Sequence, residues 1–176
     1  MDASDAHLEN ALQEYNEKVN FLEPGGPSED LLEAYVNRGC ILQMMEYHTS
    51  AMDDLESAED IIDFLESQGV EVDDGTYVKA MTTIAAILFD QNADPVEYYD
   101  KAAVRLPKVV EGSRHFDRRS LVRLCIEACE NLVDCEYPED AQPYLARGLD
   151  LTARGSDAWT LNRRMELMNL SGEIND

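Results

Sequence analysis

The sequence predicts an all-α fold of stacked antiparallel helical hairpins, with about eight helices. Three observations carry that expectation. Apolar residues recur at three- and four-residue spacings along almost the whole chain, no stretch alternates over strand length, and glycine- or proline-bearing breaks separate the periodic segments. With 176 residues, 44% of them hydrophobic, the chain can bury a sizeable core as one domain. The expected layout is a single helical-repeat domain over 1–176: an N-terminal helix (1–23), hairpin units at 28–67, 76–110 and 118–153, and a C-terminal capping helix (156–170).

Leu8, Leu12, Tyr15, Val19 and Leu22 fall at intervals of four, three, four and three, which is one face of a first helix with Asp5 as its expected cap. "EPGGPS" then breaks the chain. Ser28 is expected to cap a second helix, with Glu29 and Asp30 in the first turn where the helix dipole favours acids. Leu31, Leu32, Tyr35, Val36, Gly39 and Leu42 form its apolar face. After a corner at 46–49, a third helix turns Ala51, Met52, Leu55, Ala58, Ile61, Ile62 and Leu65 inward. Tyr77, Val78, Met81, Ile84, Ala85 and Leu88 mark a fourth. Asp94, Pro95 and Glu97 read as an N-cap, a first-turn proline and a capping box for a fifth, which Pro107 ends or kinks. Leu121, Leu124, Cys125, Ala128, Cys129 and Leu132 build the sixth. Pro138 suits the first turn of a seventh, lined by Ala141, Tyr144, Leu145, Gly148, Leu149 and Thr152. An eighth is expected from about 157 to 170 as a cap, with Trp159 inward, Met165 on the same side, and Arg163 and Arg164 outward.

A repeat underlies this series. Gly39, Leu42, Tyr47, Ala51, Leu55 and Ala58 precede Cys129, Leu132, Tyr137, Ala141, Leu145 and Gly148 by ninety residues each. Pro95, Tyr99 and Ala102 lie forty-four beyond Ala51, Leu55 and Ala58. A two-helix hairpin cannot bury its own apolar faces, and stacking hairpins makes a continuous core. Small residues at Gly39, Ala51, Ala58, Ala141 and Gly148 would let helices approach closely.

The segment AYVNRGCILQMMEYHTSAMDDLESA, residues 34–58, resembles the tetratricopeptide repeat family. Tyr35, Gly39 and Leu42 match the aromatic, small and large positions of that family's first helix. Ala51, Leu55 and Ala58 match the small, large and small positions of the second, while Tyr47 falls one residue before the corner aromatic. The likeness weakens in 125–148, holds only in the second half of 79–102, and the unit is longer than usual. What the resemblance implies is a binding module that holds a peptide or protein segment on a concave face of first helices, here about 29–45, 76–90 and 118–134. Tyr35, Asn37, Arg38, Glu127 and Glu130 are the partner-binding residues expected on that face. Some members grip a terminal carboxylate there. Asn37 stands where one such asparagine lies, but Met81 and Glu127 at the corresponding places depart from the clamp.

Thirty-seven acidic residues against 14 basic ones give a formal net charge of -23. Nucleic acids and anionic membranes both call for positive charge, so neither is an expected partner. No apolar run approaches the ~20 residues of a membrane span. MDASDAHLEN lacks the basic start and apolar core of a signal peptide, so the expected location is cytoplasmic. The acidity fits either a basic partner or solubility and salt tolerance. Eleven acidic residues and no lysine or arginine lie between Gly39 and Val78, seven of them on the third helix, where a solvated outer face is expected. Arg114, Arg118, Arg119 and Arg123 gather around His115 and Phe116. Their expected role is to neutralise a neighbouring acidic hairpin, with binding of an acidic segment as the alternative.

Cys40, Cys125, Cys129 and Cys135 form no disulfide framework. Cys125 and Cys129 share a helical face, yet the chain holds no CxxC or HExxH frame, and His7, His48 and His115 are scattered. No nucleophile elbow, phosphate loop or dinucleotide fingerprint is present. The expected function is therefore a non-enzymatic protein–protein interaction module. It would need no cofactor and no metal, and would be a monomer or weak homo-oligomer. The alternatives are a structural or assembly protein that self-associates through an end hairpin, and an enzyme with a pocket between hairpins.

Overall fold

The computed structural model describes residues 3–153 and 155–175, and every regular element in them is helical. The helices are α1 (Ala3–Leu22), α2 (Glu29–Met44), α3 (His48–Ser67), α4 (Asp74–Asp90), α5 (Val96–Arg105), α6 (Arg118–Asp134), α7 (Gln142–Thr152) and α8 (Ala158–Asn175). Short 3-10 turns follow α1 and α5 and precede α7. The last two contain Pro107 and Pro138, so each proline shapes a turn rather than a helix interior.

Helices α2, α4 and α6 begin in the same way. The side chains of Ser28, Asp73 and Asp117 each accept the backbone N–H three residues on, from Leu31, Thr76 and Ser120. Each such bond satisfies a donor that the helix itself leaves unpaired. The same three helices also end alike. Glu46, Asn92 and Glu136 take left-handed backbone, with φ of 62°, 56° and 66°. The following N–H, from Tyr47, Ala93 and Tyr137, returns to the carbonyls of Leu42, Leu88 and Leu132 at 2.9, 2.8 and 2.8 Å. Together with the bonds from Glu46, Asn92 and Glu136 to Gln43, Phe89 and Val133, this is a Schellman closure repeated three times.

These closures correct the register of the middle unit. Leu42 corresponds to Leu88 and Leu132, and Asn37 to Thr83 and Glu127, so Thr83 replaces Met81 in that row. Counting from Pro95 slips by two residues because α3 starts two positions after Glu46, whereas α5 starts four after Asn92. Other boundaries shift as well. Asp5 lies inside α1 rather than before it. Asp94 does accept from Val96 N–H at 3.0 Å, but Glu97 turns forward to Lys101 at 3.1 Å rather than back into a capping box.

The hairpins α2–α3, α4–α5 and α6–α7 form two layers. First helices touch in series, α2 with α4, α4 with α6 and α6 with α8. Second helices are joined across the other layer, α3 to α5 by Lys101–Glu59 at 2.8 Å and α5 to α7 by Tyr144, whose hydroxyl donates to the Tyr99 carbonyl at 2.7 Å. The two tyrosine rings meet edge-on at 5.7 Å, and Asn131 of α6 donates to the Tyr99 hydroxyl. Close approach explains two helical glycines. A Cβ on Gly39 would stand 2.9 Å from Leu55 Cγ, and one on Gly148 would stand 2.9 Å from Leu167 Cδ2. Helix α4 is the central element, buried on most sides from Val78 to Ile87. Helix α8 closes the array with Leu167, Leu170 and Ile174 inward. Met165 does not join Trp159 against the core: Leu161, Met165 and Met168 form an exposed apolar stripe.

Candidate functional site

A groove of about 470 Å³ opens between α4 and α6 beside the C-terminal end of α2. Its α4 wall is Lys79, Thr82, Thr83 and Ala86, at the i, i+3, i+4, i+7 positions of one helical face. Its α6 wall is Ser120, Arg123, Leu124, Glu127 and Ala128, and Gln43 and Met44 of α2 stand at the rim. The buried rings of Tyr99 and Phe116 lie beneath. Thr82 and Thr83 are themselves buried, and their hydroxyls donate back to the carbonyls of Val78 and Lys79 at 2.8 and 2.7 Å. That arrangement leaves their methyl groups as the apolar part of the wall.

The connector 109–117 sets one end of the groove. Phe116 is buried and its carbonyl accepts from Gly112 N–H at 2.9 Å. Gly75 packs beside this chain: a Cβ there would make only ordinary contact with Ser113 and the Phe116 ring, and its one tight neighbour would be the capping carboxylate of Asp73 at 3.0 Å. His115 Nε2 lies 3.0 Å from Thr76 Oγ1, and Arg114 pairs with Glu33 of α2. Burial pushes the His115 pKa down against the pull of Glu33 and Asp73, so the ring is neutral at pH 7. Glu127 reaches solvent, but the groove walls limit its hydration. That desolvation raises its pKa, with Lys79 acting in the opposite sense and Asp90 and Glu130 adding to the rise.

Of the five residues expected to bind a partner, Glu127 lines this groove. Tyr35 and Arg38 are corrected to structural positions. Tyr35 is buried and its hydroxyl donates to Glu23 at 2.5 Å; burial first, then that bond, pushes its pKa up to about 12. Arg38 makes a two-pronged contact with Asp54 of α3 at 2.6 and 2.7 Å and also donates to Asn16 of α1. Both side chains thus face the seam between α1 and α3. Asn37 donates to the Glu33 carbonyl within its own helix at 2.8 Å. Glu130 is exposed and feels the charges of Glu166, Arg163 and Glu173 on α8.

Sequence reasoning passed over Lys79, Thr82, Thr83 and Gln43. A usable signal was there: between Val78 and Leu88 of α4, Lys79, Thr82 and Thr83 are the only polar residues. The arginine cluster resolves unevenly. Arg114 meets Glu33, Arg118 donates to the Leu151 carbonyl and Arg119 lies over Trp159 at 5.2 Å, while Arg123 turns into the groove. Cys125 and Cys129 are buried, and desolvation pushes both thiols up, so neither is a thiolate at neutral pH. Among the described residues, no three His, Cys, Asp or Glu side chains converge on a metal-sized space, and no helix is long and apolar enough to cross a membrane. The chain matches no family model, and comparison with curated proteins and with solved structures finds no match.

Proposed function

We propose that the chain is a non-enzymatic helical-repeat interaction module, tetratricopeptide-like in plan, that takes a protein or peptide segment in the α4–α6 groove. The observation that carries this reading is the groove itself. It lies on the side of the first helices, and it joins an apolar floor to polar groups along both walls, the composition of a recognition site. The test is photo-crosslinking from Met44, which is 64% exposed at the rim, against the same crosslinker at Asp60 on the exposed face of α3. Adducts with another protein should form from Met44 and not from Asp60. Equal yields from the two positions, or none from Met44, would refute the groove as the recognition site.

The exposed stripe of Leu161, Met165 and Met168 favours a second reading, self-association of two copies through α8. The helix carries Arg163, Arg164, Glu166 and Glu173, a balanced charge that spares it the like-charge repulsion of the acidic helices. Light scattering over a concentration series decides it: a mass that stays monomeric at every concentration ends this reading.

A further inference from the structure

Cations in this molecule are scarce, and most are occupied. Arg38, Lys101, Arg105, Arg114, Arg147 and Arg163 each meet a carboxylate. Arg118 donates to a carbonyl, and Arg119 and Lys18 lie over aromatic rings. Among the described residues, Lys79, Lys108, Arg123 and Arg164 have no such partner, and two of these four line the same groove from facing helices. Neither of the two comes within ion-pair distance of a carboxylate among the described residues, although the chain has 37 acidic residues. Glu127, one turn beyond Arg123, is the single carboxylate on the groove walls.

We propose that the groove binds a peptide segment in which acidic side chains adjoin an apolar one. Lys79 and Arg123 hold the carboxylates from opposite walls, and the apolar side chain rests against Ala86, Leu124 and Ala128. This deepens the interaction-module reading and rests on it. An arginine suits the two-pronged geometry of a carboxylate, and a lysine supplies a mobile point charge opposite. A basic segment, the partner that net charge alone suggests, would meet two like charges here. The dense acids of α3 belong to the opposite layer, and charges beyond a screening length of ~8 Å at physiological salt act weakly across the molecule.

The test is an NMR titration of the intact 15N-labelled chain. The probe is an acetylated, amidated octapeptide of alternating glutamate and leucine; one control replaces glutamate by lysine, and another keeps a free C-terminus but has no glutamate. Shift changes should map to residues 79–86 and 120–128 with the glutamate peptide only. Lys79→Gln and Arg123→Gln should each weaken binding about tenfold, as expected for loss of one charged hydrogen bond, with amide spectra otherwise unchanged. The proposal is overturned by the absence of groove shifts, by an equal response to the lysine peptide, by binding of the glutamate-free control, or by full affinity in the double variant. Crosslinks from Met44 without glutamate-peptide binding would sink the charge assignment and leave the groove reading standing. Loss of both would sink both.

Discussion

The three hairpin corners place ordinary residues where glycine is the usual choice, and this gives a test of the repeat in energetic terms. Holding an L-residue in the left-handed region costs roughly 1–2 kcal/mol through the approach of Cβ to the backbone. Glycine removes that strain but gives the unfolded chain more freedom to lose, roughly 0.4–1 kcal/mol. The difference leaves Glu46→Gly and Glu136→Gly each stabilising by about 0.5–1 kcal/mol. Both side chains are exposed, and neither makes a side-chain hydrogen bond among the described residues, so nothing else is removed. Asn92→Gly should change little, because asparagine tolerates this backbone region. The two glutamate corners belong to different hairpins, so their effects should add. For a chain of this size the double variant should raise Tm by about 2–8 °C in a calorimetric melt. Glu46→Ala is the control: it keeps the Cβ and should gain nothing. If the glycine variants melt lower than the parent, or alanine reproduces their gain, the corners are not strained and the Schellman equivalence of the three units fails.

Two further substitutions probe the seam and the groove. Arg38→Ala leaves the Asp54 carboxylate buried without its two-pronged partner and should lower unfolding free energy by about 3–5 kcal/mol in denaturant titration, while the Arg38→Ala/Asp54→Ala double variant should recover part of that loss. A loss under about 1 kcal/mol would place the pair among ordinary surface contacts. Glu127→Gln tests the desolvated carboxyl through pH. Because folding raises this pKa above the usual 4.5, the ionised group subtracts stability above its folded pKa, and the penalty fades as pH falls through that value. The variant should therefore melt higher than the parent near neutral pH and equal to it below about pH 4, where both states hold the proton. A gain that persists in acid would assign the effect to something other than ionisation.

Helical periodicity made the architecture legible because each element has one dominant apolar face, as in α2 with Leu31, Tyr35, Gly39 and Leu42, or α6 with Leu121, Cys125, Ala128 and Leu132. Register in the middle hairpin was not legible. The left-handed corner that defines it is occupied by Glu46, Asn92 and Glu136, none of them the glycine that marks such a turn in sequence. The cap at Asp73 was equally hidden, inside an acidic run where each carboxylate looked alike. For the site, helical phase within α2 was the obstacle. A face exposed in a lone hairpin is covered once α1 packs beside it, so Tyr35 and Arg38 turn from candidate contacts into seam residues. Glu127 lines the groove because, among the described residues, no helix covers that side of α6.

Charge in this molecule is sorted by layer rather than spread evenly. On α3, Asp54, Glu59 and Glu66 are met by Arg38, Lys101 and Arg105, cations carried by α2 and α5. Asp53, Glu56, Asp60 and Asp63 remain as an exposed stripe at three- and four-residue spacing. The exposed pairs on their own are worth little, ~0.2–1 kcal/mol each, but their placement has a geometric consequence. Lys101 and Arg105 lie one turn apart, opposite Glu59 and Glu66, and they also cover the rings of Tyr98 and Tyr77 at 4.5 and 3.8 Å. A one-turn slip that carried Glu97 to the place of Lys101 would set acid against Glu59, so these contacts disfavour that register even where they add little stability. The cations used in this way are withdrawn from the surface. Among the described residues, Lys79 and Arg123 are the cations without a carboxylate, carbonyl or ring partner that face each other across a groove between first helices.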